Sequence, residues 1–142
     1  MQVILVGCEY AGKTTLSRAI SNWLVKLYGP ESWGPPHYEW HDHYEFPDVT
    51  HQDLTEEEQI QLLALSPRLK ESYQRYNLAY HTPNASSENS IMLAIGFHVS
   101  EAVYAPLYFS YGAEQEYADR RKLSFQIERD IMDYAPDTTI VL

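Results

Sequence analysis

Gly7 and Gly12, followed at once by Lys13-Thr14, give the pattern G-x-x-x-x-G-K-[ST]. Two glycines at this spacing let the backbone curl so that successive N–H groups face one anion. A lysine next to the second glycine supplies a mobile ammonium for β- and γ-phosphates. The threonine hydroxyl is a hard oxygen ligand for Mg²⁺. The stretch expected to bind a nucleotide is therefore Gly7, Cys8, Glu9, Tyr10, Ala11, Gly12, Lys13, Thr14 and Thr15. Lys13 is its catalytic member and Thr14 its metal ligand, with ATP and Mg²⁺ as the groups bound. Cys8 and Glu9 fill variable positions and carry no chemistry of their own. The alternative, a glycine-rich turn without a ligand, is disfavoured by what flanks the motif.

The chemistry requires a strand before the loop and a helix after it, because the helix adds its positive N-terminal end. Gln2-Val3-Ile4-Leu5-Val6 is an apolar, β-branched run that predicts a buried strand. Leu16, Ala19, Ile20, Trp23, Leu24 and Leu27 recur at three- and four-residue spacing and predict a helix. Gly29-Pro30 stops it.

Other candidates are weaker. His41 and His43 could share one strand face as metal ligands, but no third ligand is fixed by spacing, so a polar strand end is the preferred reading. Asp42 stands at the carboxyl end of a predicted second strand over 37–43, where ligands bind in open parallel sheets. A carboxylate there would face the phosphates or the phosphoryl acceptor; a solvated turn aspartate is the alternative. Arg120-Arg121-Lys122 is a basic cluster in an acidic chain, so Arg120 or Arg121 is a candidate phosphate ligand. The alternative is an exposed face balanced by Glu114, Glu116 and Asp119.

The chain of 142 residues predicts one domain with a real core. Its 20 acidic and 10 basic residues give a net charge of −10, which argues against a nucleic-acid surface. One cysteine excludes an internal disulfide and fits a reducing cytosol. No signal peptide, membrane span or repeat is read, so a cytoplasmic protein is expected. Residues 30–36 and 81–89 read as loops.

Thr55-Glu56-Glu57-Glu58 is a capping box and starts a helix. Ser66-Pro67 starts another, on which Leu69, Tyr73, Tyr76 and Tyr80 form a stripe read as core-facing. Residues 91–95 are uniformly apolar and predict a central third strand. Residues 100–108 read as helical with a kink at Pro106. Residues 114–134 read as a long helix with Tyr117, Leu123, Ile127, Ile131 and Tyr134 on its buried side. Residues 138–142 predict a fourth, buried parallel strand. Such a strand is an odd natural C-terminus, and a chain ending short of its full length is expected.

This order of elements resembles the thymidylate-kinase-like group of P-loop nucleoside and nucleotide kinases, over nearly the whole chain. Besides the phosphate loop, the resemblance lies in Asp42-His43 and in the run Phe97-His98-Val99-Ser100-Glu101-Ala102-Val103-Tyr104-Ala105-Pro106-Leu107-Tyr108. That run is similar to a family segment that begins Asp-Arg-aromatic-His and continues through Glu and Tyr to a Gly-Pro-Leu-like turn. Pro136-Asp137 before an apolar strand also resembles the family. The resemblance implies an α/β P-loop NTPase fold: a parallel sheet of order 2-3-1-4-5 flanked by helices, with four of the five core strands present. It implies transfer of the ATP γ-phosphoryl group to a nucleoside or nucleoside monophosphate, such as a thymidylate-like acceptor. Asp42 and Glu101 would be the acceptor-side carboxylates. Phe97 and Tyr104 would line the acceptor pocket. A nucleoside or nucleotide is the expected partner, with a homodimer as the assembly considered.

Two departures stand out. The family's Asp-Arg pair falls on Ile95-Gly96, and Arg120 or Arg121 would have to compensate. The lid and fifth strand would lie beyond Leu142. Two further classes stand as alternatives. A GTPase or ATPase switch would need Asp-x-x-Gly or Asn-Lys-x-Asp, and neither occurs. A nucleotide-binding module without catalysis is favoured by the missing Asp-Arg pair.

Overall fold

The computed structural model describes residues 2–29, 39–40, 54–84 and 92–142. Its elements run β1 (Gln2–Leu5), α1 (Lys13–Tyr28), β2 (Glu39–Trp40), α2 (Glu56–Ala64), α3 (Pro67–His81), β3 (Met92–Ile95), α4 (Phe97–Tyr108), α5 (Arg120–Tyr134) and β4 (Thr139–Val141). The strands form one parallel sheet of order β2-β3-β1-β4. That is the expected order over the four strands present. In register, Ile4 sits opposite Ala94 on one side and Ile140 on the other.

Side chains alternate across a strand, so each strand feeds two faces. Ile4, Met92 and Ala94 pack on one face with Leu78 of α3, Phe97 of α4, and Ile127 and Ile131 of α5. Leu5, Leu93 and Ile95 point to the opposite face, where Val3 and Ile20 of α1 pack against them. The arrangement is α/β, with helices on both sides of a small sheet. β3 is buried along its whole length, as a central parallel strand should be. No helix among the described residues is long and apolar enough to cross a membrane.

The caps of α2 and α3 form as predicted. The Thr55 side chain accepts from the Glu58 N–H, and the Glu58 carboxylate accepts from the Thr55 N–H at 2.8 Å. This holds the Glu58 carboxyl below its usual range. Ser66 caps α3 with Pro67 in its first turn.

Several expectations are corrected. Of the stripe Leu69, Tyr73, Tyr76 and Tyr80 on α3, Tyr73 is half-buried and the other three face outward, with Tyr76 57% exposed. The buried face is polar instead: Glu71, Gln74, Asn77 and His81, with Leu78 the one aliphatic residue. The reason lies on α5, whose buried Arg120 must be neutralised from α3. On α1, Leu16, Trp23 and Leu27 are largely exposed, and Leu24 carries the contact with Ser17. α4 begins at Phe97, three residues before the predicted start, and continues through Pro106 to Tyr108. α5 begins at Arg120 and not at 114, because Gln115 and Ala118 take left-handed conformations and the Asp119 side chain caps the Arg121 N–H. Tyr117, which precedes the helix, and Tyr134, at its last turn, are both exposed rather than on its buried side. β4 is an exposed edge strand and not a buried one, with Ile140 48% exposed.

Candidate functional site

The loop between β1 and α1 is fixed at its base by both neighbouring strands. The Val6 N–H donates to the Val141 carbonyl at 2.8 Å, and the Gly96 N–H donates to the Leu5 carbonyl at 2.7 Å. Gly12 then turns the chain into α1 at φ 84°, a left-handed conformation that L side chains rarely adopt. It heads the helix with no side-chain cap. The Leu16 N–H is the first to bond within the helix, to the Gly12 carbonyl at 2.9 Å. The N–H groups of Lys13, Thr14 and Thr15 precede that bond and have no acceptor among the described residues.

Lys13 bends back over this loop. Its Nζ donates to the Gly7 carbonyl at 2.9 Å and to the Cys8 carbonyl at 2.6 Å. The ammonium thus lies on the loop that leads into the first N–H groups of α1, both of which carry positive charge. Cys8, Glu9, Tyr10, Ala11, Thr14 and Thr15 are exposed around it. Thr14 is exposed, and its carbonyl accepts from the Ser17 hydroxyl at 2.9 Å. One hydroxyl, completed by phosphate oxygens and water, suits Mg²⁺, which keeps waters and seldom uses an all-protein cage. Among the described residues no group of three or more His, Cys, Asp or Glu forms such a cage.

Where the resemblance expects an arginine, Gly96 lies at φ 78° and Phe97 at φ 44°. A Cβ on Gly96 would fall 2.8 Å from Ser100 Cβ and closer still to its hydroxyl. No side chain fits there without moving Ser100. Phe97 itself is fully buried in the core beside Ile4.

Tyr104, further along α4, stays half-buried, and burial raises its hydroxyl above the ordinary phenol range. The charges of Glu9 and Cys8 add to that rise. Its ring lies 5.7 Å from that of Tyr108.

Glu101, one turn back, points the other way, into a buried network. It accepts from Arg120 Nε at 2.8 Å, from the Tyr111 hydroxyl at 3.0 Å and from Gln74 Nε2 at 3.4 Å. Arg120 donates through Nη1 to Glu71 Oε1 at 2.9 Å and through Nη2 to the Glu71 carbonyl at 3.2 Å. All three guanidinium nitrogens are thus engaged. Burial, then the Glu101 charge, drives the Tyr111 hydroxyl far above its ordinary range. Arg121 is exposed and pairs with Glu114. Asp42, His41 and His43 lie outside the described residues, as do residues 30–36 and 85–89 of the predicted loops.

The structure therefore brings residues 7–15 together at the head of α1, with Lys13 folded back over the loop. It gathers Glu101 and Arg120 separately, beneath the surface. No sequence motif points to the partners Glu71, Gln74 and Tyr111. Their one sequence signal is the polar run Glu71, Gln74, Asn77, His81, which keeps helical spacing opposite the aromatic stripe. Comparison with protein-family models, with curated proteins and with solved structures gave no significant match.

Proposed function

We propose that residues 7–15 bind the phosphates of a nucleoside triphosphate, and that the chain is a kinase of P-loop NTPase fold. It would transfer the γ-phosphoryl group of ATP to a nucleoside or nucleoside monophosphate in the cytoplasm. The observation that carries this reading is Lys13, whose ammonium lies over the loop carbonyls at the head of α1. An anion entering there meets the ammonium and the N–H groups of the first helical turn together. Lys13 would stabilise charge on the β- and γ-phosphates as the transferred group loosens. Mg²⁺, held by the Thr14 hydroxyl and phosphate oxygens, would supply further charge neutralisation. Tyr104 would border the acceptor. Glu101 is committed to Arg120 and Tyr111, so its part on this reading is to fix the acceptor side. Activation of the acceptor hydroxyl would fall to Asp42.

A calorimetric titration with Mg-ATP tests the loop. Lys13→Ala is expected to weaken binding by about tenfold or more, since a charge-assisted contact is lost. Unaltered affinity in the variant would overturn the reading. ADP release across a panel of nucleosides and nucleoside monophosphates then names the acceptor.

A second reading, nucleotide binding without catalysis, has its own observation. Arg120 is saturated by Glu71 and Glu101, Arg121 pairs with Glu114, and glycine stands at 96. Phosphoryl transfer gains much of its stabilisation from an arginine clamp. ATP binding with no acceptor-dependent turnover would favour this second reading.

A further inference from the structure

A cleft of about 360 Å³ runs along the second halves of α3 and α5. Residues at helical spacing line it: Leu78, Ala79 and Thr82 from the α3 side, Ile127, Asp130 and Tyr134 from α5. Leu78 and Ile127 are buried members of the core, so its floor is apolar. None of residues 7–15 lines it. Just beyond α5, the Thr138 hydroxyl bonds the Ala135 carbonyl at 2.7 Å and lies 3.4 Å from Gln2 Oε1. Gln2 begins β1, whereas the phosphate loop leaves the other end of that strand. The cleft is therefore a place apart from the loop.

Its charge has one sign. Arg75 is on the rim but is already paired, with Nε and Nη2 at 2.8 and 2.6 Å from Glu71 Oε1. Asp130, half-buried, has no hydrogen bond or ion pair among the described residues. The uncompensated charge in the cleft is thus a carboxylate. Both helices also end here, and a helix C-terminus is the negative end of its dipole. No basic residue stands in the last turn of α5. His81, in the last turn of α3, is buried with Nδ1 at 2.8 Å from the Asn77 carbonyl, and burial lowers its pKa. Pro83 stands where the next residue would donate to the Ala79 carbonyl, and it has no N–H to offer.

We propose that this cleft binds a small organic cation, one ring carrying a short ammonium arm. Pockets for small molecules span roughly 300–1,000 Å³ and combine an apolar body with a few polar groups. This cleft lies near the lower bound, which suits a single ring over Leu78 and Ile127. Asp130 takes the ammonium, and the Tyr134 ring is a further partner for a cation. The proposal is independent of the nucleotide-binding reading of residues 7–15.

Phenethylammonium is the probe, with phenethyl alcohol and phenylacetate as its neutral and anionic counterparts. Each is titrated into the full chain and followed by proton–nitrogen NMR. Shifts are expected along the second halves of α3 and α5, with the ammonium about fivefold tighter than the alcohol and phenylacetate weakest. Asp130→Asn should bring the ammonium down to the affinity of the alcohol. Ala79→Trp, which fills the cleft from an exposed position, should remove binding of both. Added salt should weaken the ammonium and leave the alcohol unchanged; this arm needs no variant and decides the matter should Asp130→Asn fail to fold. Equal affinity for ammonium and alcohol, tightest binding of phenylacetate, or no shift at the cleft would each overturn the proposal.

Discussion

Lys13 and Gly96 mark the two ends of what a single residue decides here. Lys13 sits where Cys8 is also exposed, so the loop carries its own reporter. Mg-ATP is expected to slow alkylation of Cys8, and Lys13→Ala to abolish that protection; equal rates with and without nucleotide would contradict a phosphate site. At Gly96 the backbone is left-handed and Ser100 fills the space of a Cβ. Gly96→Ala should therefore destabilise the protein by about 2–3 kcal/mol, read as a lower denaturant midpoint, from backbone strain plus overpacking. The loop was legible in the sequence because its chemistry is local: two glycines, a lysine and a threonine within one turn of chain. Arg120 was not. Its partners are Glu71 and Glu101, 49 and 19 residues away, and no spacing rule links them.

Among the elements, α2 and α3 separate what local pattern can and cannot foresee. Both N-caps form where Thr55 and Ser66 predict them, since a cap is a bond between near neighbours. Thr55→Ala should lower stability by about 1 kcal/mol in thermal or denaturant unfolding. The inward face of α3 does not follow from the sequence, because periodicity finds a stripe without saying which of two stripes turns inward. Apolar and aromatic Leu69–Tyr80 positions and polar Glu71–His81 positions keep the same helical spacing. The choice was made by a guanidinium on α5. Similarly, the start of α5 was placed early because 114–119 has no helix breaker, and the left-handed Gln115 and Ala118 are imposed by the fold around Gly112. The strands were easier: β1, β3 and β4 are short apolar runs bounded by loops, and their parallel order follows from helices between them.

For the molecule as a whole, acid is the informative variable. His98 is buried on the first turn of α4 against α5, and neither ring nitrogen has a hydrogen-bond partner among the described residues. Burial lowers its pKa from 6.5 to about 4. The Glu128 carboxylate, 3.7 Å away and half-exposed, is too distant and too solvated to reverse this. Folding therefore favours the neutral ring. Its contribution is fully present above pH 6.5 and is lost as pH falls towards 4, roughly 3 kcal/mol over that window. Burial also lowers the His81 pKa, so it contributes with the same sign. Melting temperatures followed from pH 7 to pH 4 should fall less steeply in His98→Leu than in wild type; parallel curves would show that the imidazole does not titrate on unfolding. The outward aromatics of α3 have a consequence of another kind. In a saturating mutational scan, tolerance along this helix would run opposite to hydrophobicity: Leu69, Tyr76 and Tyr80 would accept polar replacements, while Glu71 and Gln74 would reject leucine. A designer who ranked its positions by oiliness would keep the residues that are free to change and discard those that are not.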